Sequence, residues 1–259
     1  MKSRYEYKYL VSNDLIDTIR AEILPYMELD DFANKHSNGQ YTVRSIYYDS
    51  PQFDCYREKV DGIQVRNKFR IRSYNQQSKK SIAFLEIKHK NTNCISKSRA
   101  PIYFTNIAKS LYSKRVNDYV LSFNGNGVEK KDARKFFYYY YLKNLHPAIL
   151  VIYDREAFEG KFDSSLRLTF DKNLRSVIYP SLKQLYSEDK NKRTMNNNFI
   201  LEVKFYGSLP VWIKTIITKY KLDRRALSKY TMSLETHHEF NNRRYAMSNL
   251  ISNRGVCYA

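Results

Sequence analysis

Arg70 and Arg72 stand two residues apart in the stretch Phe69-Arg70-Ile71-Arg72-Ser73-Tyr74. Side chains of a β-strand repeat every two residues, so both guanidiniums share one face about 7 Å apart. Two fixed cations on a sheet face are either solvated or holding an anion. The same alternation recurs along the chain: Arg4, Glu6 and Lys8; Glu86, Lys88 and Lys90; Lys97 and Arg99; Tyr153 and Arg155; Arg167, Thr169 and Asp171; Glu202 and Lys204. Arg binds phosphate as a fork and Lys as a point charge. The interspersed Glu6, Glu86 and Glu202 suit a divalent cation beside the phosphate, because hard metals take carboxylate and phosphate oxygens together. For Glu6 and Glu86 a structural ion pair with a neighbouring cation is the equal alternative. No Ser/His/Asp or Cys/His arrangement for nucleophilic catalysis is present. The five His are scattered apart from His237-His238.

These positions need strands to hold them. Residues 4–11, 41–49, 63–74, 82–90, 148–158, 165–171 and 199–205 alternate apolar and charged residues in the manner of strands. An extended piece from Lys97 to about Phe104 follows the 82–90 strand. Helices are expected from Ser12 or Asn13 to about Leu24, stopped by Pro25, within 105–146 (Asn106 to Tyr119, then Val128 to Leu145), and from Pro210 to about Lys221. The aromatic run Phe136 to Tyr141 reads as core or groove packing rather than a base-stacking platform. Cations facing one another across open strands repel. A bound polyanion removes that repulsion, and closing the sheet removes its edges. The expected fold is α+β: an antiparallel β-barrel with a basic interior, surrounded by helices.

Composition agrees. The 259 residues carry 45 Lys and Arg against 26 Asp and Glu, a formal charge of +19, which calls for a polyanionic partner. Twenty-four Tyr, 14 Phe and only seven Gly exclude a disordered basic tail. Cys55, Cys94 and Cys257 lack metal-site spacing and suggest a reducing compartment. The start has no apolar signal-peptide core, and the best apolar run, Ala148 to Tyr153, is too short to span a membrane. A cytoplasmic protein of one domain over 1–259 is expected, with a polar, poorly ordered tail from about 237.

Taken in order, RYEYKYLV (4–11), YYDSP (47–51), DGI (61–63), KFRIRSY (68–74), FLEIKHK (84–90), SKSRAPI (96–102), YDREAF (153–158), LRLTFD (166–171), ILEVKF (200–205) and LSKY (227–230) resemble the VTC-type polyphosphate polymerase domain of the triphosphate tunnel metalloenzyme (CYTH-like) superfamily. The resemblance runs over roughly 4–235. It implies a tunnel of antiparallel strands with phosphate-binding Lys8, Arg70, Arg72, Lys88, Lys97, Tyr153, Arg155, Arg167, Ser228 and Lys229, and with Glu202 as the metal ligand. Of these, Lys8, Arg70, Arg72, Lys88, Arg155, Arg167 and Lys229 are the implied catalytic set. Lys97, Tyr153 and Ser228 are the implied substrate contacts. The implied cofactor is a divalent metal, Mn2+ first and Mg2+ second, and the implied ligands are ATP and inorganic polyphosphate. Two positions depart from the pattern. Arg4 stands where other superfamily members carry Glu, which argues against the hydrolases built on that motif. Ala226 stands where the polymerases carry Lys, with Arg225 adjacent as a substitute.

The leading expectation is therefore ATP-dependent polyphosphate synthesis. A metal-dependent triphosphatase shares the tunnel but needs a positioned water and more acids. A non-catalytic module for polyphosphate or nucleic acid is the third reading; nucleic acid favours exposed basic patches with aromatics, of which Arg243 and Arg244 are the one candidate. A membrane partner protein is left open, none being evident in this chain.

Overall fold

The computed structural model describes residues 4–92, 94–113, 115–123 and 127–244. The chain folds into two compact units, each assembled from separated stretches: 4–43, 152–175 and 193–229 in the first, and 44–151, 176–192 and 230 onward in the second. Cys257 and the tail beyond 244 lie outside the described residues.

In the first unit, β1 (Arg4–Ser12), β2 (Met27–Leu29), the start of β3 (Tyr41–Asp49), most of β7 (His146–Gly160) and of β8 (Arg167–Ile178), and β10 (Asn198–Tyr206) form antiparallel sheet. The strand order is β1-β10-β8-β7, with β2 on β7 and the two-residue β9 (Lys192–Arg193) on β8. Period-two alternation sorts its side chains. Tyr9, Val11, Phe158, Leu168, Phe170, Phe199, Leu201, Val203 and Phe205 go to the apolar face and are almost fully buried. Helices α1 (Ile16–Ile23) and α6 (Val211–Lys219) complete this core with Ile19 and Ile23, and with Ile213 and Ile216, at the i, i+3 and i+4 spacings of one helical face. The short α2 (Asp31–Asn34) starts where Asp30 accepts a 2.8 Å hydrogen bond from the Ala33 amide.

In the second unit β7 and β3 continue into β4 (Val65–Tyr74), β5 (Ile82–Asn91) and β6 (Cys94–Tyr103), in the order β7-β3-β4-β5-β6. Phe69, Ile71, Ala83, Leu85, Ile87, Ala100 and Ile102 are buried on one face. Helix α4 (Phe104–Ser113) buries Ile107, and α5 (Val128–Leu142) lies on β5 and β6, burying Ala133, Phe136 and Phe137. Tyr139 tilts against Phe69 at 5.5 Å, while Tyr138 and Tyr141 are exposed, so the aromatic run is core on one side only. Helix α3 (Asp54–Val60) follows β3, and α7 (Lys229–Glu235) opens at the Lys-Tyr of the LSKY motif. Residues 238–244 form a further helical stretch instead of a loose tail. Phe240 is buried edge-on to Phe53 and Tyr56, and His237 is buried against Ser176 at 2.9 Å.

The large antiparallel sheet and its helices make the expected α+β class. The expected barrel is not closed by backbone pairing, because β1 and β6 are both end strands and do not pair with each other among the described residues. Short segments from elsewhere in the chain occupy part of their outer edges instead. Tyr9 bridges Arg224 and the Arg225 amide donates to the Lys8 carbonyl at 2.8 Å; Ile102 bridges Val120 and the Leu121 amide donates to the Pro101 carbonyl at 2.9 Å. Covering an edge this way satisfies its backbone groups without closure. No helix among the described residues is long and apolar enough to cross a membrane.

Candidate functional site

The charged face of the first unit follows from strand register. Pairing sets Glu6 opposite Lys204, Lys8 opposite Glu202, Glu202 opposite Thr169, and Lys204 opposite Arg167. Paired residues point to the same side of the sheet, so the alternation that buries Leu201 and Val203 stacks these charges on the other face. Lys8 Nζ lies 2.7 Å from Glu6 and 3.6 Å from Glu202, and Lys204 pairs with the second oxygen of Glu202. Asp171, fully buried, accepts both forks of Arg155 at 2.6 and 2.8 Å and Lys229 Nζ at 2.5 Å. Arg155 and Lys229 both lie over the ring of buried Tyr153, at 5.2 and 4.8 Å. The segment before α7 reaches this face along β1, where Lys8 Nζ is 3.5 Å from the Leu227 carbonyl, and it carries buried Ser228 beside Lys229.

Burial alone would lower the Lys8 pKa, but Glu202 and Glu6 outweigh it and hold the ammonium above its ordinary value. Burial likewise works to raise Glu202 and Asp171. Lys204, Lys8, Lys229 and Arg155 hold Glu202 well below the usual range, while Arg155 and Lys229 hold Asp171 down.

In the second unit, register puts Lys68, Lys88 and Lys97 abreast on β4, β5 and β6, and Arg70, Glu86 and Arg99 abreast in the next row. Arg72 stands on the same face, opposite Phe84. Glu86 is 1% exposed and shared by four cations: Arg70 at 2.7 Å, Lys97 at 2.5 Å, Arg99 at 3.3 Å and Arg72 at 3.9 Å. Arg70 also donates to the Tyr47 hydroxyl at 3.1 Å, Arg72 to Ser45 at 3.0 Å, and Arg99 stacks on Phe84 at 3.6 Å. Burial works to raise Glu86, but Arg70, Arg72 and Lys97 hold it well below the ordinary carboxylate range. Lys97 goes the other way. Burial, helped by the charges of Arg70 and Arg99, pushes its ammonium down to about 8 although Glu86 pulls it up.

The structure thus gathers Lys8, Tyr153, Arg155, Glu202, Ser228 and Lys229 in the first unit, and Arg70, Arg72, Lys88 and Lys97 in the second. Arg167 shares the first unit's charged face, but its guanidinium turns to Glu159 at 3.0 Å and Asp30 at 3.3 Å and is half exposed. Arg4 stacks over Tyr206 at 5.8 Å, and Arg225 lies 3.9 Å from Asp223 with its side chain 56% exposed. The clusters also hold residues outside the expected site, among them Arg99, Lys204, Asp171 and Tyr47. Arg99 and Lys204 each follow an expected site residue by two, and strand parity already sets them in the charged alternation. Asp171 carried the same signal in LRLTFD. Tyr47 did not, because its contact with Arg70 depends on the neighbour chosen by β4.

For a divalent cation, no three His, Cys, Asp or Glu side chains come together among the described residues, so no all-protein cage is formed. Glu202, buried and ionised among phosphate-type donors, fits the alternative in which one or two carboxylates and substrate oxygens share the ion. Compared with known families, residues 3–238 match the model of the VTC domain. No curated protein matched the chain.

Proposed function

The chain belongs to the VTC domain family, and on that premise we propose that it is a metal-dependent polyphosphate polymerase, passing the γ-phosphoryl of ATP to the end of a polyphosphate chain. The family is associated with polyphosphate metabolism. The observation that carries the reading is the convergence of positioned cations on one sheet face, at its plainest the four that share Glu86. Phosphoryl transfer asks a protein for positioning and charge neutralisation more than for a covalent nucleophile. Lys8, Arg155 and Lys229 in one unit, and Arg70, Arg72, Lys88 and Lys97 in the other, would hold phosphoryl oxygens. Arg167 would join them by exchanging its carboxylate partners for substrate. Tyr153 and Ser228 would line the substrate, and Asp171 would fix the direction of Arg155 and Lys229. Glu202 would hold the ion, Mn2+ before Mg2+, whose contribution is to neutralise charge on the phosphates. The basic tunnel of the family resemblance is part of this proposal, since backbone pairing does not enclose the sheet.

The test is incubation with ATP and Mn2+ followed by gel and phosphate analysis. Long chains support a polymerase; free phosphate alone means a triphosphatase; neither product leaves a binding module. Glu202→Gln should abolish metal-dependent turnover while keeping tripolyphosphate binding, and unchanged turnover removes Glu202 from the metal site.

A further inference from the structure

Thr169 lies inside the charged face of the first unit, opposite Glu202 on β10. The hairpin register that joins the Gly160 amide to Leu166 and Arg155 to Asp171 sets Ala157 on its other side. Its row is therefore short-chained at Ala157 and Thr169, between a row with Arg155 and Asp171 and a row with Glu159 and Arg167. Thr169 is 6% exposed, and its Oγ1 is buried without a hydrogen-bond partner among the described residues.

A buried hydroxyl without a partner costs free energy, and a valine of the same shape would avoid the cost in a strand that favours it. The hydroxyl must therefore be matched by a ligand or be a plain liability. The surrounding charges select the ligand. On this face Lys8, Lys204, Arg155 and Lys229 outnumber Glu6, Glu202 and Asp171, with which they pair, and the remaining positive charge draws an anion to this spot. A hydroxyl can donate to a phosphoryl oxygen at about 2.5–3.0 Å, and it adds a directional contact without adding charge.

We propose that Thr169 is a phosphate-binding residue, its hydroxyl donating to a non-bridging oxygen of a phosphoryl group drawn in by Lys8 and Arg155. The role rests on the polyphosphate reading above and adds to it a neutral donor. Calorimetric titration of the full chain with inorganic tripolyphosphate tests it on wild type, Thr169→Val and Thr169→Ser. The valine variant should bind about ten- to a hundredfold more weakly, with an unchanged salt dependence of affinity and an unfolding midpoint at or above wild type. The serine variant should stay within about threefold of wild type. Wild-type affinity in Thr169→Val overturns this role alone. Equal losses in the valine and serine variants, or a lowered midpoint for valine, also overturn it, because they assign the effect to the methyl group or to a partner in the free protein. A wild-type chain that binds no tripolyphosphate overturns the polyphosphate reading together with this role.

Discussion

Glu86→Gln removes the charge that four cations share while keeping the side chain's shape. Removing one partner of a buried ion pair costs about 3–5 kcal/mol. Lys97 and Arg99 are 41% and 40% exposed, so water compensates part of their loss and the lower end, about 3 kcal/mol, is the better figure. For a chain of this size that is a fall in unfolding midpoint of roughly 6–12 °C. Anion binding should move oppositely. Two like charges about 6 Å apart at an effective dielectric near 20 repel by roughly 3 kcal/mol, and screening at this partly open face leaves about half. The variant should then bind tripolyphosphate about tenfold more tightly. Ligand at about a hundred times the wild-type Kd stabilises wild type by about 2.7 kcal/mol and the variant by about 4.1 kcal/mol. Thermal unfolding at pH 7, where Glu86 is ionised, should therefore show the gap between the two proteins closing as tripolyphosphate is added. A gap that stays constant or widens would refute the view that this face is built for phosphate.

Arg70 donates through Nε and Nη1 at once, to Glu86 and to Tyr47, a geometry that Lys cannot reproduce; Arg70→Lys should weaken ATP binding about ten- to a hundredfold, and normal binding in a titration removes the forked role. Lys229→Ala should lower turnover more than affinity, because Asp171 and Arg155 stay in place without it; equal losses in both parameters count against that division. Lys97, with its pKa lowered to about 8, carries its charge below that pH and loses it above. Bound polyanion favours the charged form, so affinity should fall as pH rises through about 8, with proton uptake on binding measurable by calorimetry in two buffers; Lys97→Arg should flatten the profile.

Strand parity was the legible part of this molecule. Residues 41–49 form a strand with the expected limits, and the charged sides of β4, β5, β8 and β10 were readable because one residue in two had to be apolar. Lateral neighbours were not. Which cations meet Glu86 is decided by the register of β5 with β4 and β6, which local pattern does not encode. Helix α3 carries little local signal because its start is secured from outside: Asp49, a buried carboxylate at the end of β3, accepts the Ser50, Cys55 and Tyr56 amides and the Tyr230 hydroxyl. Burial pushes its pKa up, while those hydrogen bonds favour the ionised form. β8 was expected to stop at Asp171 but runs on to Ile178 past Asn173, which tolerates a φ of +51°. The polar composition of the tail predicts a loose end, but buried Phe240 and the contacts of Arg243 with the Pro51 carbonyl and of Arg244 with the Tyr56 hydroxyl seat residues 238–244.

The short segments lying along β1 and β6 also guard the protein against itself. A bare strand edge is a template on which a second, partly unfolded copy can build, and a basic chain mixed with long polyanions is drawn into dense assemblies where such encounters multiply. Residues 224–225 and 120–121 occupy part of those templates with backbone partners from the same chain. A truncation placed just before Arg224 would then do more than remove Lys229: it would uncover a pairing edge on β1, turning an intended loss-of-function fragment into one prone to aggregate.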